Sequence, residues 1–396
     1  MNHARTRTAP ANWALFALGF RPFFLAAGAA GLALIAAWVY AFTHGADPGP
    51  YYGSGIGWHG HEMLFGYTMA VVAGFLLTAV RNWTGRDTPS GTGLAALALL
   101  WLAGRVAPFA GAWLPGWAIA AIDLAFLPAV AAALAPSLLT GGQRRNRIFL
   151  GLLGLLTLAN LLIHLQALGV TGATAHAGTY LAVQLVVLLM VIIAGRVLPF
   201  FTERALPAAR PWRNAWIEGL AIGSAALLAA TVPFLAPSLP LALLSLAAAI
   251  VHALRLAGWH HRDMWSKPIL WVLHLGYAWL VVGFALQGLA FWGVGTPLLA
   301  LHAFTAGAIG TLTLGMMARV SLGHTGREMR APAPAAAGFV LITLAAVLRV
   351  MGPLAVPGWY PDTIVAAGIC WSAAFASFLW VYAPVLLRPR ADGRPG

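Results

Sequence analysis

Twelve apolar runs of roughly 20 residues divide this chain from end to end, and almost no charge falls inside them. They lie at 22–42, 59–80, 93–110, 116–139, 148–169, 176–198, 215–235, 238–257, 269–291, 297–320, 334–351 and 362–387. As a helix, each is long enough to span about 30 Å of hydrocarbon. The breaks are Pro/Gly/Asp turns such as Asp47-Pro48-Gly49-Pro50, or arginine clusters such as Arg144, Arg145 and Arg147. With 61% hydrophobic and 8% charged residues, a soluble enzyme is excluded, since its outside must be compatible with water. The 396 residues leave only short loops and no large extramembrane domain. The expected fold class is all-α: a polytopic membrane protein with twelve transmembrane helices in a single integral membrane domain, residues 1–396.

A formal charge of +13 could indicate nucleic acid, but the positions of the cations argue otherwise. With the N-terminus placed in the cytoplasm, 21 of the 23 Lys and Arg fall at inner helix ends, leaving only Arg105 and Arg349 near the outer face. That alternation requires twelve crossings with both termini cytoplasmic, and it removes the nucleic-acid reading. The first apolar run follows a positive segment, as a signal peptide does. Its roughly 21 residues are long for a cleaved segment, and the alternation needs it retained. One cysteine, Cys370, permits no internal disulfide, no thiolate zinc cluster and no Cys-x-x-Cys-His haem attachment, so any metal is held mainly by histidine.

An internal repeat is visible. A shift of 241 residues lays His61 on His302, Gly66 on Gly307, Gly74 on Gly315, and Thr84-Gly85-Arg86 on Thr325-Gly326-Arg327. Helix 2 therefore resembles helix 10. Helix 3, with Arg105-Val106 and Pro108, resembles helix 11, with Arg349-Val350 and Pro353. A shift of eight helices keeps inside on inside, so the repeat is parallel. With His176 opening helix 6, the simplest account is three four-helix units, 15–139, 148–257 and 269–387.

Six of the 12 histidines gather toward the outer leaflet. His59 and His61 open helix 2, His176 opens helix 6, and His44 follows helix 1. His302 and His164 lie roughly 8 Å deep by helical rise. Ionisable groups at such depth face a partner, a cavity or a metal, although a lone histidine commonly serves packing. Imidazole suits haem iron and copper, and ligands from two helices can approach both haem faces. The repeat-equivalent His61 and His302 are the first candidate axial pair. His59, about 200° from His61 around the helix, is left for a second metal with His176 or His164. Glu62 could orient a ligand or simply favour the helix start. Arg105 and Arg349 could meet outer-lying propionates, or equally Asp47, Asp362 or lipid phosphate. Met63, Met69, Met190 and Met316 offer sulfur to Cu(I) but are ordinary packing residues too. An inner pair, His252 and His274, is a further candidate; Asp123 in helix 4 and Glu218 in helix 7 are unusual carboxylates.

Several segments carry a resemblance to a known family. They are Phe20-Arg21-Pro22-Phe23-Phe24, Trp58-His59-Gly60-His61-Glu62-Met63-Leu64-Phe65-Gly66-Tyr67, Gly74-Phe75-Leu76-Leu77-Thr78-Ala79-Val80 with Asn82-Trp83-Thr84-Gly85, Gly195-Arg196-Val197 with Pro199-Phe200-Phe201-Thr202, and Arg319-Val320 with Leu322-Gly323-His324-Thr325-Gly326-Arg327. The chain resembles the NnrS family of bacterial inner-membrane proteins. The resemblance implies a haem- and copper-containing protein associated with denitrification and nitric oxide resistance; it supplies no ligand list. The twelve-helix plan also looks like the catalytic subunit of haem-copper oxidases and nitric oxide reductases, with haem histidines on helices 2 and 10. This chain departs from that pattern, with no histidine in helix 7 and one rather than two in helix 10.

The leading expectation is a non-covalent haem b held by His61 and His302, with copper held by His59 and His176 or His164, meeting nitric oxide or a nitrosyl species near the periplasmic face. Electron transfer or scavenging could follow, with the electron donor unidentified. Two other readings stay open: a twelve-helix transporter or copper exporter with a histidine-lined path, and a membrane sensor or chaperone that binds haem without turnover.

Overall fold

A computed structural model of the chain describes residues 13–140 and 144–394. Arg5 and Arg7, counted above among the cytoplasmic cations, lie outside the described residues. Among those described the architecture is all-helical, with no strand. The helices are α1 Phe20–His44, α2 Gly55–Thr84, α3 Gly91–Ala110, α4 Gly116–Thr140, α5 Arg144–Ala167, α6 Thr174–Ala205, α7 Ala215–Thr231, α8 Leu239–Trp259, α9 Pro268–Phe291, α10 Pro297–His324, α11 Ala333–Ala355 and α12 Pro357–Leu387.

Eleven of these helices are long and apolar enough to cross a membrane, so the chain is a multi-pass membrane protein. The twelve expected full-length spans become eleven and one short apolar helix. The exception is α7, whose 17 residues rise roughly 26 Å. Its sequence run continued to residue 235, but Pro233 has no N–H to donate to the preceding turn, and the helix ends at Thr231 with Val232 as its still-helical cap.

Local chemistry fixes the ends. The Ser54 side chain accepts from the Gly57 amide (3.1 Å) to start α2, and Asn214 caps α7 by accepting from the Trp216 and Ile217 amides. Gly45 and Gly85 close α1 and α2 in the left-handed region, at φ 64° and 67°.

The most enclosed helices, α2, α6 and α10, carry His59, His61, His176 and His302. In α2 and α6, 83% of the apolar stretch is buried, and in α10, 72%; no other span exceeds 61%. Around them the remaining helices pack largely in chain order, and α1 lies against α12, bringing the two ends of the chain together. Large apolar side chains such as Leu99, Trp117, Ile250 and Trp380 point outward, as a hydrocarbon solvent allows. Both α2 and α10 contain a seven-residue π-helical turn, Glu62–Thr68 and Ala303–Ile309, beginning one residue after His61 and His302. The helix match read from the sequence thus extends to a shared backbone irregularity, of a kind that frequently marks functional sites.

Toward the other end of the bundle, Arg255 of α8 is buried and bonds to Glu218, to the Tyr277 hydroxyl (2.8 Å) and to the Val191 carbonyl (3.0 Å). It reaches the α6 backbone across Gly195, where an added Cβ would lie 1.9 Å from its guanidinium. Gly195→Ala is therefore expected to destabilise the protein by about 1–3 kcal/mol. Gly223→Ala, with nothing within 4 Å of the new methyl, should be neutral or stabilising. Thermal unfolding of the two variants in detergent checks the difference.

Candidate functional site

Two compartments form at the histidine-rich end of the bundle. The first is a closed polar cluster joining α2, α3, α4, α5 and the Pro50–Tyr52 turn. Arg105 donates to Glu62 Oε1 (2.8 Å) and, through its other terminal nitrogen, to Asp123. Gly104 admits that contact, since a Cβ there would lie 2.7 Å from Asp123 Oδ1. His61 Nδ1 lies 3.1 Å from Glu62 Oε1, and its Nε2 lies 3.0 Å from Asn160 Oδ1 and 3.3 Å from Asp123 Oδ2. Asn160 Nδ2 donates to Asp123 Oδ2 (2.7 Å), and so does His164 Nε2 (3.0 Å). Burial pushes the Tyr51 hydroxyl up to about 12, so it keeps its proton and donates to His164 Nδ1 (2.9 Å). Tyr52 stacks on the His61 ring with centroids 4.3 Å apart.

Two carboxylates face one guanidinium, and both His61 nitrogens lie within hydrogen-bond reach of acceptor oxygens. A metal ion would enter in place of ring protons: His61, Asp123 and His164 each offer one ligand atom, all within 4.8 Å of one another.

The second compartment is a cavity of about 330 Å³ between α1, α2, α6, α10, α11 and α12. Its wall is apolar apart from a few groups, chiefly His59, His176, His302 and Arg349. His59 stacks on Trp38 at 4.5 Å, and its Nδ1 is buried without a partner. His302 donates from Nδ1 to the Leu298 carbonyl (2.8 Å), which fixes its tautomer and leaves Nε2 free. His176 is exposed beside Tyr180. Arg349 is paired with no carboxylate among the described residues; the Tyr360 hydroxyl meets the guanidinium, whose Nη1 is buried and unpartnered.

The expected groupings are redistributed. His61 does not line the cavity that His302 lines, so the candidate axial pair is split between compartments. The reason is the one that separated His59 from His61: two positions apart on a helix, the rings diverge, and His59 is the one facing the cavity. His164 joins His61 rather than His59, while His176 shares the cavity with His59. Arg105 meets Glu62 and Asp123, not Asp47, and Glu62 bridges His61 and Arg105. The inner candidates do not converge either: His252 Nδ1 meets the Tyr277 hydroxyl (2.6 Å), and His274 meets the Leu270 carbonyl (3.1 Å) and Thr202 (3.4 Å). Met63 borders the cavity, Met190 and Met316 line a deeper space, and Met69 is buried in the core.

Asn160, Tyr51 and Tyr52 were not among the sequence candidates. Asn160 carries a legible signal, lying four residues before His164 on the same helix face. The tyrosines sit in a turn whose fold-back onto α5 no local pattern encodes.

Asp123→Leu leaves Arg105 and His164 short of an acceptor and should cost about 3–5 kcal/mol. Asp87→Asn breaks only an exposed pair with Arg81 and should cost about 1 kcal/mol at most. Melting temperatures of the two purified variants distinguish the cases.

No curated protein matches the chain. A family model described as NnrS protein matches residues 14–390. That match covers nearly the whole sequence, and the chain belongs to the NnrS family.

Proposed function

We propose that this chain is a haem- and copper-binding protein of the bacterial inner membrane that binds or reacts with nitric oxide or a nitrosyl species at the histidine-lined cavity, near the periplasmic face. In this reading it crosses twelve times, with the short α7 included, because only then do the inner helix ends collect nearly all the cations and both termini stay cytoplasmic. The arrangement is then that of three four-helix units around α2, α6 and α10.

The observation that carries the proposal is the contrast between repeat-equivalent arginines. Arg105 is neutralised by Glu62 and Asp123, whereas Arg349 stands at the wall of a cavity beside the Tyr360 hydroxyl, with no carboxylate partner among the described residues. A half-buried cation at the wall of an otherwise largely apolar cavity calls for an anionic ligand group, and the carboxylates of a haem b meet that demand. The size of the cavity lies within the range of cofactor pockets. His302 is the ligand we assign to the iron, with its free Nε2 and a carbonyl-anchored Nδ1. His59 lines the same space, and its Nδ1 has no hydrogen-bond partner among the described residues. For copper, His61, Asp123 and His164 form the donor set, imidazole and carboxylate at a common level beside the cavity. When bound, haem iron and copper supply open coordination positions for a small diatomic ligand. The residues here then orient the cofactor, neutralise its acid groups and keep water from the apolar wall.

A histidine-lined transport path fits less well, because the inner end of the cavity meets apolar packing rather than a chain of polar groups. A non-catalytic haem sensor shares the site and differs only in turnover.

The His302→Ala variant should lose the haem absorbance of the purified protein. Arg349→Leu should weaken haem retention about tenfold or more through the lost charge-assisted contact. His164→Ala should keep haem and lose copper. Pigment and metal content per chain, measured on matched detergent preparations, decide it; full haem content in His302→Ala overturns the assignment.

A further inference from the structure

Below the histidine cavity lies a second, smaller space of about 70 Å³, lined mainly by the three innermost helices. Val71, Val72 and Phe75 of α2, Leu189, Met190 and Ile193 of α6, and Leu312 and Met316 of α10 form most of its wall. Thr68 borders both spaces, and the α6 and α10 residues of the two linings follow one another along the helices. The two spaces are therefore stacked along the bundle axis, and the residue ring around Thr68 separates them.

By volume the chamber could hold several waters, since one needs about 10–15 Å³. Its chemistry argues against them. The only polar side chains in the wall are Thr68 and Thr313, and both hydroxyls are engaged: Thr68 donates to the Met63 carbonyl (2.7 Å), and Thr313 bonds to the Ile309 carbonyl (2.6 Å) and to Tyr67. A buried water wants two to four polar partners, and a space of this kind stays dry and takes apolar atoms instead. The two methionine sulfurs add a polarisable wall that favours a small, uncharged occupant.

We propose that this chamber is a docking site for a small uncharged gas molecule of the diatomic class, which enters from the hydrocarbon and passes the Thr68 ring into the histidine cavity. The binding step stands on the chamber alone. The onward passage rests on the reading of the cavity as the place where nitric oxide is bound. Apolar gases partition into hydrocarbon, so a store at mid-membrane depth raises their local concentration beside the cavity without any polar path for ions or protons.

Xenon is the probe. Crystals of the wild-type protein under xenon pressure should show an anomalous peak between Met190 and Met316. Ordered water hydrogen-bonded to Thr68 and Thr313, an acyl chain in the chamber, or no xenon there would each overturn the docking site. Ala194→Leu places added carbons in the wall and should abolish the peak while leaving cofactor content unchanged; Ala194→Val is the milder substitute if the leucine variant does not fold. In cofactor-loaded protein the association rate of nitric oxide should fall about threefold or more in the filled variant. An unchanged rate with the xenon peak gone overturns the passage but not the docking site. A xenon peak in protein that binds no haem would refute the assigned cavity function and leave the chamber standing.

Discussion

Arg105 held between Glu62 and Asp123 is the contact on which this end of the bundle depends. In hydrocarbon an unpaired guanidinium is among the costliest groups a helix can carry, so its partners must be brought to it from other helices. Satisfying it draws α3 onto α2 and α4, and the remaining carboxylate oxygens and imidazoles draw in α5 and the turn before α2. The breaking of one such pair leaves a buried charge, which is why polar clusters of this type fix helix register more than they add net stability. The same end of the bundle also holds a cavity whose arginine, Arg349, meets no carboxylate among the described residues. The Arg105 end is closed by the chain's own residues, and in the proposed function the Arg349 end is completed by a ligand.

Much of this was legible in the sequence. The apolar runs placed eleven spans to within a few residues at most ends, because length and hydropathy alone determine what can lie in a bilayer. Pro233 shortened the remaining run, a signal that was present but outweighed by the hydrophobic count. The repeat that paired helix 2 with helix 10 reappears as two π-helical turns at matching positions. Family membership, read from motifs scattered between Phe20 and Arg327, agrees with the match over residues 14–390.

The site was legible in parts list but not in grouping. His59, His61, His164, His176 and His302 all lie at the outer-histidine end of the bundle, in two compartments, and depth along a helix was enough to say so. Which ring meets which could not be read from depth, because that depends on the rotation of each helix about its own axis. Sequence equivalence suggested that His61 and His302 face one another. In a parallel repeat, equivalent residues instead face equivalent neighbours, and the neighbours differ: Glu62 and Asp123 in one case, Ala303 and open space in the other. Asp123, noted only as an odd carboxylate, turns out to hold the cluster together because four side chains reach it.

In the proposed function, iron belongs to the cavity of His302, His59 and Arg349, and not to the polar cluster around His61. Diffraction from the cofactor-loaded protein at the iron absorption edge tests this most directly. An anomalous iron peak within coordinating distance of His302 Nε2 is the result the account predicts. An iron peak between His61 and His164, or beside His252 or His274, would contradict it.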